Sequence, residues 1–78
     1  MAACRLADLP VGGSGRVVRV AGADEVSCRL MEMGLVPGVA FRILGTAPFG
    51  DPIEVEVLHY RLSLRKSEAA LVEVEPDT

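Results

Sequence analysis

Hydrophobic and polar positions change period along this chain, and the changes mark out its elements. Residues 16–20 (RVVRV) set β-branched side chains between charges and predict a strand that stops at Gly22. Residues 24–33 carry Val26, Leu30 and Met33 at i, i+4 and i+7, a core-facing helical stripe. Asp24 is placed to cap that helix, Glu25 suits the positive end of its dipole, and Gly34 stands where a left-handed residue ends it. Pro37-Gly38 then predicts a type II turn. From Val39 onward the period is 2: Val39, Phe41 and Ile43 share one face of a strand over 39–44, and residues 45–52 are rich in Gly and Pro and predict a loop.

The next two runs test each other. With Leu58-His59 as a two-residue turn, Ile53, Val55 and Val57 face Leu64, Leu62 and Tyr60, and Glu56 faces Arg61. A slip of one residue spoils both the apolar and the charge matching. His59 is unusual in a turn that favours Gly, Asn or Asp at positive φ. Upstream, residues 5–13 predict one turn around Leu6 and Leu9 followed by a loop. Downstream, residues 66–70 predict a single helical turn, and 71–75 a last strand with Val72 and Val74 inward. The expected fold class is mainly β, about five short antiparallel strands closed as a small barrel, with one helix inserted between strands one and two.

Composition narrows the function. The 78 residues are 50% hydrophobic and 24% charged, enough for one globular domain and too few for a second core. Eight basic residues against eleven acidic ones give a net charge of −3, a poor balance for neutralising phosphates, so no nucleic-acid partner is expected. No apolar run is long enough for direct membrane insertion. Met1-Ala2-Ala3-Cys4 has no apolar stretch ahead of it, and two cysteines are too few for a disulfide framework, so a reducing, cytoplasmic setting is expected. A domain over 1–78, with its core at 4–75 and a frayed acidic tail at 76–78, is the expected organisation.

Candidate chemistry is sparse. Cys4, Cys28 and His59 show no metal-ligand spacing, so no metal site or cofactor is expected; Cys28 reads as a small buried hydrophobe and His59 as a solvated turn residue. Glu54 and Glu56 lie two apart on an outward strand face with Arg neighbours, a solvated ladder and not an acid/base pair. There is no phosphate loop and no nucleophile with a base, so the chain does not read as an enzyme. Met31 and Leu35 lie off the Val26–Leu30–Met33 stripe and are expected as a partly exposed apolar patch for a partner.

The block Arg29-Leu30-Met31-Glu32-Met33-Gly34-Leu35-Val36-Pro37-Gly38 resembles the signature of the FeoA family, small cytosolic proteins of bacterial ferrous-iron transport. Leu6-Ala7-Asp8-Leu9-Pro10 with Gly12, then Gly45, Pro48, Gly50 and Asp51-Pro52, and Tyr60 through Ala69 match further, in one colinear order. Family members commonly have Gly at the hairpin tip, where this chain has Leu58-His59. The resemblance implies an SH3-like β-barrel acting beside FeoB, the membrane ferrous-iron permease with a cytosolic GTPase domain, and peripheral to the inner membrane when docked. Transition-metal binding enters only at the level of the family. The same module occurs as the C-terminal domain of metal-dependent repressors, which leaves two alternatives: a stand-alone SH3-like adaptor, or the sensing module of a metal-dependent regulator. Three aromatics and no Trp equip a proline-binding groove poorly, and the regulator reading would require this sequence to be a fragment, so neither alternative is expected to lead. Weak self-association through strand edges is a further expectation.

Overall fold

A computed structural model describes residues 4–22 and 24–77, so Met1 to Ala3, Ala23 and Thr78 lie outside the described residues. The chain forms β1 (Cys4–Arg5), a 3-10 turn (Leu6–Asp8), β2 (Ser14–Val20), α1 (Glu25–Glu32), β3 (Ala40–Thr46), β4 (Ile53–Val57), β5 (Tyr60–Leu64), α2 (Lys66–Ala69) and β6 (Val72–Pro76). All strand pairs are antiparallel in one sheet of order β1-β6-β2-β3-β4-β5.

Six strands replace the expected five, and the helix therefore follows the second strand. The extra one is β1, whose Cys4 and Arg5 pair with Val74 and Glu73. Two residues are too short to show alternation, so the strand exists only because β6 supplies its ladder. The sheet curves through irregularities at Val17/Arg19 and Ile43/Gly45. Its ladder stays open between β1 and β5, so the expected sealing of all edges does not occur. The predicted loop at 45–52 begins later, because Gly45 and Thr46 still pair with Glu54 and Ile53. It contains a cis peptide bond between Asp51 and Pro52.

One face of the sheet folds around a single core. Val17, Val20, Phe41, Ile43, Ile53, Val55, Val57, Leu64, Val72 and Val74 supply it from the strands, and Leu6, Leu30, Leu35 and Ala69 cover it from the turn and helices. The period-2 runs explain this directly: most buried strand residues stand next to an exposed Arg, Glu or Ser. Gly15 sits where β6 crosses closely over β2. A Cβ there would meet the Glu75 carbonyl oxygen and lie 2.7 Å from the Pro76 Cα.

Of the tail expected to fray, Thr78 lies outside the described residues, while Pro76 and Asp77 are held to β2. Pro76 pairs with Gly15, the Asp77 N–H donates to the Ser14 carbonyl at 2.8 Å, and the Ser14 hydroxyl donates to the Asp77 carboxylate at 3.0 Å. No helix among the described residues is long and apolar enough to cross a membrane.

Candidate functional site

α1 begins at Asp24, whose carboxylate accepts the Ser27 N–H at 3.1 Å. That backbone hydrogen bond holds the Asp24 carboxyl below its ordinary value of 3.8. A carboxyl with a depressed folded value stabilises the fold fully above its unfolded value, and the contribution fades as pH falls through the lower folded one. Asp24→Asn, which keeps the cap without the charge, is therefore expected to show a shallower loss of thermal stability between about pH 5 and pH 2 than the parent. Melting curves across that range check it, and parallel curves would refute it.

Helical phase places Ser27, not Cys28, on the inner face. Ser27 is buried and its hydroxyl donates to the Ala21 carbonyl at 2.6 Å, so the polar group is satisfied. Cys28, expected as a buried hydrophobe, is exposed.

The helix ends in a double hydrogen bond. The Leu35 N–H donates to the Leu30 carbonyl at 3.2 Å and the Gly34 N–H to the Met31 carbonyl at 3.0 Å, with Gly34 at φ +111°. This Schellman arrangement turns the chain back so that the residue after the glycine packs on the last helical turn. It corrects the expectation for Leu35. That side chain is 0% exposed within the core, whereas Met31, on the outer side of the same turn, is 38% exposed. Leu35 thus anchors the segment and leaves Met31 alone of the pair at the surface. The chain beyond is pinned to β2: the Gly38 N–H donates to Val17, and the Val17 N–H to Val39, at 2.7 and 2.8 Å.

The β4–β5 hairpin completes the surface. Its register is the one the alternation predicts, with Val57 opposite Tyr60 and Glu56 opposite Arg61. Leu58 and His59 both have positive φ, +50° and +76°, which a two-residue turn requires for strands of natural twist. Tyr60, expected to point inward, instead lies across Gly34, and its hydroxyl donates to the Met33 carbonyl. A Cβ on Gly34 would stand 2.7 Å from the Tyr60 hydroxyl and 3.4 Å from a Leu58 methyl. Glycine is needed there twice, for its backbone angle and for this approach.

Four exposed apolar side chains gather about Gly34: Met31 and Val36 beside it in the chain, Leu58 and Tyr60 across from it. Spacing pointed to Met31. Leu58 and Tyr60 were hidden by the hairpin reading, which counts only faces; the exposed pair follows from the turn lying against the helix end. At the other end of β4, Phe49 stands 98% exposed in the loop between β3 and β4.

The remaining candidates do not converge on chemistry. His59 is exposed at the tip, Cys4 lies in β1 and Cys28 in α1; among the described residues no three His, Cys, Asp or Glu side chains are grouped to hold a metal ion. Glu54 and Glu56 are exposed on β4. Glu68 links the two helices, accepting from the Arg29 guanidinium at 3.1 Å and the Arg65 N–H at 2.8 Å.

Comparisons with known proteins agree with this architecture. Residues 4–76 match the FeoA domain. A curated relative, the Fe(2+) transport protein A/Fe(2+) transporter FeoB fusion protein of Porphyromonas gingivalis, is 38% identical over 71 residues, which are 91% of this chain but only 8% of that protein. Among solved structures, a FeoA-like protein from Clostridium acetobutylicum is 36% identical with a TM-score of 0.89, covering 96% of this chain and 87% of that one. The zinc-complexed FeoA of Stenotrophomonas maltophilia, a prokaryotic SH3 domain protein, is also 36% identical, with a TM-score of 0.80 and coverage of 91% and 88%. A manganese-dependent transcriptional repressor shares the fold alone, at 22% identity and a TM-score of 0.88 over 99% of this chain and 38% of that one. With its SH3-like sheet and one helix between β2 and β3, the chain belongs to the FeoA family, which is associated with ferrous iron transport.

Proposed function

We propose that this chain is a non-enzymatic accessory domain of ferrous-iron uptake that docks on the cytosolic side of a FeoB-type permease. The observation that carries the reading is the relative in which a similar domain and the transporter form one polypeptide. Covalent linkage raises the effective concentration of one part at the other to the millimolar range, about what a weak contact needs in order to be occupied. The surface offered for that contact is Met31, Val36, Leu58 and Tyr60, which are exposed around a rigid helix end. Leu35, expected beside Met31 in this role, serves it from beneath by holding the turn. Docking changes transport only if the domain binds one state of the permease better than another.

Recovery of the permease with the tagged protein from iron-starved cells in mild detergent tests this. Met31→Asp and Leu58→Asp, each placing a charge at the centre of the patch, are expected to weaken recovery about tenfold or more while leaving the melting temperature near the parent's. Undiminished recovery with both variants would remove the patch from the interface. Recovery of soluble proteins only would remove the transporter as the partner.

A further inference from the structure

Two thioethers flank the end of α1 in different surroundings. Among the described residues the methionines are Met31, in the last turn of the helix, and Met33, at its cap. Two positions apart, they fall on different sides of the helix. Met33 is partly buried and packs against the core; its N–H donates to the Arg29 carbonyl and its carbonyl accepts the Tyr60 hydroxyl. Met31 is exposed, one of the four apolar side chains gathered about Gly34.

Within that patch Met31 alone is open to oxygen transfer. Val36 and Leu58 are hydrocarbon, and the Tyr60 phenol does not take an oxygen atom from a peroxide under mild conditions. A thioether does, and it becomes a polar sulfoxide that sulfoxide reductases return to the starting state.

We infer that Met31 is a modification site at which peroxides reversibly disable the apolar docking surface, an inference that rests on the docking reading above. A sulfur lone pair attacks one peroxide oxygen, the O–O bond breaks and an S–O bond forms. Sulfur gives up two electrons, the proton of the transferred hydroxyl passes to the departing oxygen, and hydrogen peroxide is reduced to water. In the free domain the new oxygen faces solvent, so the fold is little affected. Beneath a partner it leaves water, and the turn has no donor to offer it. The N–H groups of Met33, Gly34, Leu35 and Val36 are already engaged with the carbonyls of Arg29, Met31, Leu30 and Gly34. Oxidation of Met33 would instead set an oxygen against the core, so loss of docking and loss of fold belong to different residues.

The test treats the purified protein with dilute hydrogen peroxide and then with dithiothreitol, which reverses mild oxidation of the exposed Cys28 thiol but leaves the sulfoxide. Mass spectrometry of peptides is expected to find one added oxygen at Met31 about tenfold sooner than at Met33, with the melting temperature near the parent's. The oxidised protein is expected to recover the permease from a detergent extract about tenfold less well than untreated protein. Methionine sulfoxide reductase supplied with a thiol is expected to restore recovery. Met31→Leu, which keeps an apolar side chain of similar size, is expected to recover the permease with or without peroxide.

Oxidation of Met33 as early as Met31 would overturn the inference. So would undiminished recovery by the oxidised protein, or a peroxide-induced loss that persists in Met31→Leu. Those results leave docking itself standing. Failure of the untreated protein to recover the permease would remove the docking reading, and this inference with it.

Discussion

Leu35→Ala is expected to destabilise the domain by about 3 kcal/mol or more, lowering the melting temperature by roughly 12–24 °C, and Leu35→Asp to leave it largely unfolded. The side chain is fully buried against the same core as Leu30, and the turn that carries it is fixed by two backbone hydrogen bonds, so the space left by truncation cannot close by a local shift. A chain of 78 residues has a total stability of only about 4–12 kcal/mol, so a buried carboxylate at this position exceeds what the rest of the core can offset. Met31→Ala, four residues earlier on the exposed side, is expected to change stability by less than about 1 kcal/mol. Thermal melts followed by circular dichroism separate the two. A Leu35→Ala variant as stable as the parent would mean that the turn does not pack as described.

Gly15→Ala is expected to be nearly as damaging, at about 3 kcal/mol, for the opposite reason: an atom is added where backbone already stands. The added Cβ would meet the Glu75 carbonyl oxygen and lie 2.7 Å from the Pro76 Cα. A flexible side chain could swing aside, but main-chain atoms in a ladder cannot. Relief requires the end of β6 to part from β2, giving up the Gly15–Pro76 pairing and the bonds that hold Asp77. Gly45→Ala is the control, since nothing lies within 4 Å of its added Cβ; it is expected to leave stability unchanged or slightly raised. Faster amide exchange confined to β6 in Gly15→Ala would locate the damage, and a fully native melt for that variant would refute the close approach.

The parts of the fold legible from sequence are those in which one period persists. The α1 stripe and the β4–β5 alternation each run over several residues, and the hairpin register followed from apolar and charge matching together. β1 left no such trace, because Cys4 and Arg5 become a strand only through pairing with β6. The site was harder to read. Leu35 lies beyond the helix, where helical phase no longer applies, and its burial depends on a left-handed glycine folding the chain back. Cys28, expected inside, is exposed, and Ser27 takes the inner position with its hydroxyl satisfied by the Ala21 carbonyl. Tyr60 lies off the inner face, where alternation alone would not place it, with its hydroxyl donating to the Met33 carbonyl at the helix end.

The Leu58-His59 turn carries a trade-off between robustness and contact. Both residues hold backbone angles that Asn-Gly adopts with less strain, by about 1 kcal/mol per residue. An engineer seeking a hardier domain would begin by placing Asn-Gly at this tip and would gain stability. The same exchange would delete Leu58, the most exposed of the four apolar side chains around Gly34. Consensus-style thermostabilisation at this turn therefore yields a tougher domain with a poorer apolar surface, and melting temperature alone is a misleading guide when choosing variants for binding studies.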